Sequence, residues 1–233
     1  MLTSKQLIES TMVDFNQKMK MSEIFGLFQN YATNDAEAIG HGKDKTTNAG
    51  KLWVLTRIYC EVAEYPTYLS ESIVTTYATE KRGFAFPRKF KIEGSDGHLQ
   101  VRLSSIWALI DKESRKLIFK PDLPEFEAHH EDDELPDPTK VTTSQASFVY
   151  QREVKYSDID LNGHLNNCRY IEFILDSLPF SLLKQKEIAS LLINYETETA
   201  PGETIMMYAN DDYTYICGRT TEKVCFEANL TYR

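Results

Sequence analysis

The polar segment at residues 156–167, YSDIDLNGHLNN, contains the residue types that acid–base chemistry requires. Asp160, Asn162 and His164 supply a carboxylate, an amide and an imidazole at alternate positions. In a flat strand these side chains would share one face but spread over about 13 Å. The Asn-Gly pair ending at Gly163 predicts a sharp turn, because glycine accepts positive φ, and such a turn lets the three side chains converge.

A helix is predicted directly after this loop, with Asn166 or Asn167 as its N-cap. The first turn of such a helix offers backbone N–H groups and a positive dipole end, which could polarise a carbonyl oxygen during attack. We therefore take Asn167 and Cys168 as candidates for an oxyanion site. The alternative is a capping loop without chemistry, in which His164 packs against the helix.

An internal repeat relates this loop to an earlier part of the chain. VDFNQKMKMSEIF at residues 13–25 aligns with IDLNGHLNNCRYI at residues 159–171. The first Asp and the first Asn are kept, whereas Lys18 replaces His164. This pattern favours a duplication after which one copy lost the polar cluster.

Helix and strand patterns recur in the same order in both halves of the chain. Helical spacing of apolar residues predicts helices at SEIFGLFQNYATNDAEAIG and CRYIEFILDSL. Strands are predicted at KLWVLTRIYCEV, SESIVTTYATEK, FPRKFKIE and HLQVRLSSIWALID, then at ASFVYQREV, SLLINYETE, TIMMYAND and EKVCFEANLTY. A Pro-rich acidic segment separates the halves. We predict an N-terminal domain at 1–120, a linker at 121–146 and a C-terminal domain at 147–233.

Composition argues against several classes of function. The net charge of −9 disfavours general nucleic-acid binding, and the basic runs at 81–82 and 88–91 are interpreted as solvated strand faces. The start, MLTSKQLIES, lacks the pattern of a signal peptide. No apolar run reaches the roughly 18 residues of a membrane span. The sequence therefore predicts a cytoplasmic protein.

Neither a metal site nor a cofactor is predicted. The cysteines, Cys60, Cys168, Cys217 and Cys225, form no CxxC pair and suit reduced thiols. The other metal-like cluster, HHEDDE at residues 129–134, lies among prolines and is interpreted as part of a charged linker.

The segment YSDIDLNGHLNNCRYIEFILDSLP closely resembles the active-site segment of the plant and bacterial acyl-acyl-carrier-protein thioesterases. Their pattern reads like S-D-x-D-x-N-x-H-x-N-N-x-x-Y-I. LWVLTRIYCEV, KRGFAFPRKFKI and SSIWALIDKESRKLIFKPDLP are similar to successive segments of that family's first half. The resemblance implies an α+β tandem (double) hotdog fold, in which each half is an antiparallel β-sheet wrapped around a long α-helix. It also implies hydrolysis of the thioester of a fatty acyl-acyl carrier protein.

The same resemblance implies a catalytic set. Glu198, within LLINYETETAPGE, joins Asp160, Asn162 and His164 in that set. Thr199 stands where the plant members have a cysteine, which removes the nucleophile of a covalent route. A carboxylate would then activate water, and the sequence leaves open whether Glu198 or Asp160 takes the proton.

The first half is expected to house the acyl chain and to set its preferred length. Candidate lining residues come from the first helix and the strand after it: Ile24, Phe25, Phe28, Trp53 and Leu55.

The partner that the resemblance implies is an acyl carrier protein bearing a fatty acyl chain, met through a local basic patch. The sequence predicts no nucleic-acid partner and no membrane span, and it leaves a homodimer open.

Two rival functions also stay open. One is an acyl-CoA thioesterase, because single-hotdog enzymes of that kind share the Y-x-D-x-D start. The other is a non-catalytic acyl-binding protein or a dehydratase-like relic, against which the intact catalytic set argues.

Overall fold

The computed structural model describes residues 1–131 and 135–233. The chain divides into two compact units, Met1–Pro138 and Thr139–Arg233, here called unit 1 and unit 2. The finer division into two domains and a linker at 121–146 stays a prediction.

Unit 1 is an antiparallel sheet with one long helix. Its elements are β1 Leu2–Leu7, α1 Met21–Ala38, β2 Lys51–Val62, β3 Glu71–Ala78, β4 Phe86–Gly94 and β5 Leu99–Asp111. The strand order is β1-β3-β4-β5-β2, and every pair is antiparallel. Helix α1 packs against β1 and β3.

The core of unit 1 forms because α1 has one apolar face. Ile24, Phe25 and Phe28 are at most 1% exposed. The Phe28 ring lies 5.9 Å from that of Phe90 on β4 and 6.1 Å from that of Trp107 on β5. Burying an aromatic side chain of this size contributes about 1.5–3 kcal/mol, so this face fixes the helix on the sheet.

Unit 2 repeats the same plan. Its elements are β6 Ser147–Glu153, α2 Asn167–Ser177, α3 Phe180–Gln185, β7 Ile188–Tyr195, β8 Thr204–Ala209, β9 Tyr215–Arg219 and β10 Val224–Tyr232. The strand order is β6-β8-β9-β10-β7, again antiparallel, and α2 packs against β6 and β8. When the strands of each unit are numbered along the chain, both units have the same order across the sheet: first, third, fourth, fifth, second. The predicted α+β class and the predicted repeat are therefore confirmed.

The described part of segment 121–146 forms no helix or strand, and several of its residues contact the sheet of unit 1. The Lys89 ammonium donates to the Leu135 carbonyl at 2.6 Å and lies 3.0 Å from the Asp137 carboxylate. Within the predicted HHEDDE cluster, residues 132–134 lie outside the described residues.

The interpretation of run 88–91 as a solvated strand face is wrong for its first half. Arg88 and Lys89 are 6% and 5% exposed, respectively. Burying a cation is costly unless it is paired, and both are paired: Arg88 with Asp35, and Lys89 with Asp137. Because these acidic partners are distant in sequence, the basic run by itself could not indicate that Arg88 and Lys89 are buried.

Candidate active site

The predicted turn is confirmed in the loop between β6 and α2. The Asp160 Oδ1 accepts hydrogen bonds from the Asn162 N–H at 2.7 Å and, more weakly, from the His164 N–H at 3.4 Å. The Asp160 N–H in turn donates to the His164 carbonyl at 2.9 Å. Gly163 has a φ of 83°, in the region that glycine adopts without steric cost. The carboxylate therefore closes the loop that presents the imidazole.

Unit 1 contains the same turn without the imidazole. The Asp14 Oδ1 accepts from the Asn16 N–H at 2.8 Å and from the Lys18 N–H at 3.0 Å, and the Asp14 N–H donates to the Lys18 carbonyl. Gln17, at the position of the glycine, has a φ of 61°. The two copies have thus kept one backbone design, and they differ in the side chains that could do chemistry.

The predicted helix begins where the cap was expected. Asn166 is the N-cap of α2, and its side-chain oxygen accepts a hydrogen bond from the Cys168 N–H at 2.9 Å. This bond uses the Cys168 amide, one of the two candidate oxyanion donors. The Asn167 N–H has no acceptor within residues 1–131 and 135–233. The Tyr195 hydroxyl donates to the Asn167 carbonyl at 3.1 Å and so supports the first turn from β7.

A backbone hydrogen bond brings the second carboxylate to the loop. The Leu165 N–H donates to the Thr199 carbonyl at 2.9 Å, which joins the loop to the segment after β7. As a result the Glu198 Oε2 lies 3.6 Å from the His164 Nε2. The two side chains are 37% and 33% exposed, so the pair is open to a small molecule or to water.

The other imidazole nitrogen, His164 Nδ1, is buried and has no hydrogen-bond partner in the described part of the chain. Leaving a buried polar atom unpaired costs about 1–3 kcal/mol. Such atoms in native proteins call for an explanation, and a role in catalysis is one of the recognised explanations.

The segment that carries Glu198 is held from the β9–β10 hairpin. The Lys223 ammonium donates to the Glu198 carbonyl at 2.8 Å and pairs with the Glu203 carboxylate at 3.1 Å. Burial raises the pKa of Glu203, but the Ala200 N–H, the Lys223 ammonium and the nearby His164 together lower it below its usual range. Glu203 and Lys223 were not singled out from the sequence, since their partners come together only when the β7–β8 connection meets the hairpin.

Asp158 is a further residue that the sequence analysis did not single out. It is 1% exposed and accepts from the Arg152 guanidinium at 2.8 Å and from the Lys155 N–H at 2.9 Å. Its carbonyl accepts from the Asn166 N–H, which fixes the start of α2 relative to the loop. Its role is to position the loop.

Thr199 is fully buried, although it directly follows the half-exposed Glu198. Its hydroxyl shares a 2.9 Å hydrogen bond with the Tyr170 hydroxyl. Burial raises the pKa of Tyr170 well above its usual range, so this phenol stays protonated. Position 199 therefore faces the core of unit 2.

The structure places the Glu198 carboxylate at the His164 imidazole, and it places Asp160 in the same turn as His164, where its carboxylate accepts from backbone N–H groups. Asn162 differs from them, because it is exposed and contributes its backbone N–H to the turn.

Among the described residues, no group of His, Cys, Asp and Glu has the arrangement that a metal ion would need. No helix there is long and apolar enough to cross a membrane.

The five candidate acyl-pocket residues all lie in unit 1. Ile24, Phe25 and Phe28 are on the buried face of α1, and Leu55 is 3% exposed on β2. Trp53 is half-buried, with its ring 4.8 Å from that of Phe86 and its indole N–H donating to the His41 carbonyl. A small pocket of unit 1, lined by Tyr77, Lys89, Phe90, Lys91, Leu99, Arg102, Leu103, Glu131 and Leu135, includes none of the five. The acyl pocket stays a prediction.

Comparison with known proteins gives matches over both units. The family model of the acyl-ACP thioesterase N-terminal domain matches residues 2–122, and that of the acyl-ACP thioesterase C-terminal domain matches residues 141–231. A chloroplastic acyl-[acyl-carrier-protein] hydrolase of Cuphea viscosissima is 27% identical over 207 residues, which are 82% of this chain and 50% of the relative. The chain thus spans about half the length of the curated relatives it matches.

Solved structures agree with the observed fold. An acyl-ACP thioesterase from Bacteroides thetaiotaomicron is similar with a TM-score of 0.88 and 26% identity, over 99% of this chain and 97% of that one. A 12:0-ACP thioesterase from Umbellularia californica is similar in fold, with a TM-score of 0.83 and 19% identity over 100% and 96% of the two chains. The fold is thus the α+β hotdog type that the resemblance implied. Since the two domain models cover both halves in order, the chain belongs to the acyl-ACP thioesterase family.

Proposed function

We propose that this protein hydrolyses the thioester of a fatty acyl-acyl carrier protein, releasing a free fatty acid and the thiol of the carrier. The observation that carries the proposal is the 3.6 Å approach of the His164 Nε2 to the Glu198 Oε2, beside the capped N-terminus of α2. Family membership supplies the substrate class. The arrangement offers an acid–base pair next to a backbone N–H donor, which is what water attack on a carbonyl requires.

In the proposed reaction, Glu198 is the general base. Its carboxylate takes a proton from a water molecule as the water oxygen bonds to the thioester carbonyl carbon. The resulting oxyanion accepts a hydrogen bond from the Asn167 N–H at the positive end of α2. The C–S bond then breaks and the thiolate leaves. A thiolate is a stable leaving group, so His164 needs only to orient the water or to return the proton.

Asp160 and Asn162 have separate roles in this proposal. Asp160 holds the turn through its Oδ1, and its carboxylate adds negative charge to the loop that carries His164. Asn162 is exposed on the loop and could bind the substrate carbonyl or the arm that carries it. In this proposal, therefore, Glu198 takes the proton from water, whereas Asp160 maintains the turn and contributes negative charge.

A panel of acyl thioesters tests the function. The same acyl chains, at several lengths, are presented on carrier protein and on coenzyme A, and free thiol is measured. We expect a higher kcat/KM on the carrier protein. Equal efficiency on coenzyme A would favour an acyl-CoA thioesterase, and no thiol release from any substrate would contradict hydrolysis altogether. The cytoplasmic location and the homodimer stay predictions.

Cysteine is expected to be dispensable for activity. Cys60, Cys217 and Cys225 are buried, which leaves Cys168 as the partly exposed thiol. The Cys168→Ala variant keeps the backbone N–H that Asn166 caps, so we expect most of the activity to remain. The measurement is kcat on an acyl-carrier substrate before and after treatment with iodoacetamide. Loss of activity in a folded Cys168→Ala variant would restore a covalent mechanism.

We also propose that unit 1 houses the acyl chain. Each buried methylene is worth about 0.8 kcal/mol, so a shorter side chain at the pocket floor can shift the preference by one or more carbons. Phe25→Leu, Phe28→Leu and Trp53→Phe are expected to move the product profile toward longer acids. Leucine is chosen because truncation of a buried Phe to Ala costs about 3–5 kcal/mol of stability.

The matched control for that experiment is Phe173→Leu. Phe173 is a fully buried aromatic residue on α2, the equivalent helix of unit 2. Gas chromatography of the released acids reports the profile of each variant. An unchanged profile in all three unit 1 variants, together with a shift in Phe173→Leu, would assign the acyl pocket to unit 2.

A further inference from the structure

A basic and aromatic surface in unit 1 has no role in the site described above. It is formed by two segments, residues 80–84 and 112–120, here called the basic–aromatic patch. The segments carry six cations, all exposed: Lys81, Arg82, Lys112, Arg115, Lys116 and Lys120. They carry two carboxylates, Glu80 and Glu113, which leaves a net charge of +4. With a net charge of −9 for the whole chain, the remaining residues carry −13.

The two segments meet through aromatic side chains on the surface. Phe84 and Phe119 are 43% and 63% exposed, and their ring centroids are 5.9 Å apart in an edge-to-face arrangement. The Lys81 ammonium donates to the Phe119 carbonyl at 3.2 Å and lies 5.0 Å from the centre of the Phe86 ring. An exposed aromatic pair is typical of interfaces, in which aromatic residues are enriched, and the surrounding cations would form its charged rim.

The backbone of the patch is held in a defined shape. The Asp111 carboxylate accepts from the Ser114 N–H at 2.8 Å, and the Asp111 N–H donates to the Lys116 carbonyl at 2.9 Å. The Ile118 N–H donates to the Leu109 carbonyl at 2.8 Å, which continues the pairing at the end of β5. Since these bonds order the loop in the free protein, a partner would bind without the entropic cost of ordering it.

Charge decides which kind of partner fits. Arg82 pairs with Asp137 at 2.6 Å, so its charge is partly compensated within unit 1. With the Asp111 and Asp137 carboxylates that contact it included, the patch still carries a net charge of +2, on a chain whose net charge is −9. A compact acidic protein can touch this region alone, whereas a nucleic acid or an anionic membrane would also face the negative remainder of the surface.

We infer that the basic–aromatic patch is the docking surface for the acidic carrier protein that delivers the acyl chain. This inference rests on the proposed function, since that function supplies the partner. The cations attract and orient the acidic carrier, and the Phe84–Phe119 pair provides apolar area that becomes covered. Charged rims of this kind act mainly on the rate of association, so the effect falls on kcat/KM and weakens as salt rises.

The test compares two charge-reversal variants on two substrates. Lys116→Glu/Lys120→Glu changes the patch. Lys184→Glu/Lys186→Glu is the matched control, because it makes the same change in charge at two exposed lysines next to another exposed aromatic residue, Phe180. The substrates carry one acyl chain, either on carrier protein or on N-acetylcysteamine, a short uncharged thiol.

For the patch variant we expect kcat/KM on the carrier substrate to fall roughly tenfold at low ionic strength, with the rate on the uncharged thioester unchanged. The control variant should lose much less on the carrier. The wild type should lose efficiency on the carrier as salt is added, and the patch variant should lose less. The docking surface would be overturned if the ratio of kcat/KM on the carrier substrate to kcat/KM on the uncharged thioester were the same in both variants.

Binding of acyl-free carrier protein, measured by fluorescence anisotropy, separates this inference from the proposed function. If the wild type hydrolyses nothing but binds the carrier through the patch, the docking surface stands and the proposed reaction fails. If hydrolysis of the carrier substrate proceeds and binding does not depend on the patch, the reaction stands and the docking surface fails. Patch-dependent binding to anionic vesicles or to single-stranded nucleic acid, stronger than binding to the carrier, would also overturn it.

Discussion

The Glu198→Gln variant is expected to lower kcat by about a hundredfold or more, because a positioned general base typically contributes 10²–10⁴-fold. Glutamine keeps the shape of the side chain but cannot take a proton from water. The Glu198 Oε2 lies 3.6 Å from the His164 Nε2, so the variant also removes the charge that faces the imidazole. The measurement is single-turnover thiol release from an acyl-carrier substrate, with circular dichroism to show that the variant is folded.

The Asp160→Asn variant is also expected to lower kcat by about a hundredfold, because it removes a negative charge from the loop that carries His164. An asparagine oxygen can still accept the hydrogen bonds from the Asn162 and His164 N–H groups, so the turn should be kept. A large loss would therefore come from the missing charge. Near-normal turnover would limit Asp160 to closing the turn, and near-normal turnover in both variants would contradict the assignment of these carboxylates.

Asp14→Asn is the matched control for that comparison. Asp14 makes the same pattern of hydrogen bonds, to the Asn16 and Lys18 N–H groups, in a loop without an imidazole. The substitution is therefore the same chemical change in the same backbone turn. Activity should be within about twofold of the wild type, because general acid–base catalysis requires a titrating group close to the reacting atoms.

Much of the fold could be predicted from the sequence because the relevant signals are local. The strand at Lys51–Val62 is bounded as the pattern KLWVLTRIYCEV predicts, and the α1 and α2 helices begin within one residue of their predicted starts. The residues that form the turn and cap the helix could also be predicted from the sequence. Gly163 predicted a positive φ, and Asn166 was one of the two residues expected to cap α2.

The elements that were not predicted lack such local signals. Strand β1 has no buried residue, and it forms because its backbone pairs with β3 at the edge of the sheet. Strand β9 has only five residues, four of them buried, so it shows no alternation. Helix α3 has six residues, too few to show a helical period.

For the candidate site, the residue types indicated which side chains to consider but not the contacts that hold them in place. Asp160, His164 and Glu198 could be chosen by type and by resemblance. In contrast, the Lys223–Glu203 pair acts on Glu198 through a backbone carbonyl, and a carbonyl leaves no trace in the side-chain pattern. The hydrogen bond from the Cys168 N–H to the cap likewise depends on the rotamer of Asn166, so the sequence could not show which of the two candidate N–H groups the cap uses.

The buried ion pair of unit 1 is expected to have the largest effect on stability. The Arg88 guanidinium lies 2.6 Å from the Asp35 carboxylate, and the two residues are 6% and 2% exposed. Burial lowers the pKa of Arg88, and the hydrogen bond and the charge of Asp35 partly oppose that shift. An arginine guanidinium stays protonated in proteins, so this group is a buried cation. Asp35→Ala would leave this cation buried without a counter-charge. We expect the free energy of unfolding to fall by about 3–5 kcal/mol.

Urea denaturation measures that loss, with two further variants for comparison. Glu71→Ala breaks the Lys5–Glu71 pair, which also joins two elements of unit 1 but is exposed, and it should cost at most about 1 kcal/mol. The double variant Asp35→Leu/Arg88→Met removes both buried charges, and it should recover most of the stability that Asp35→Ala loses. A loss in Asp35→Ala no larger than in Glu71→Ala would mean that water reaches Arg88. A double variant as unstable as the single one would attribute the loss to packing, because an apolar pair of similar volume would then be unable to replace the ion pair.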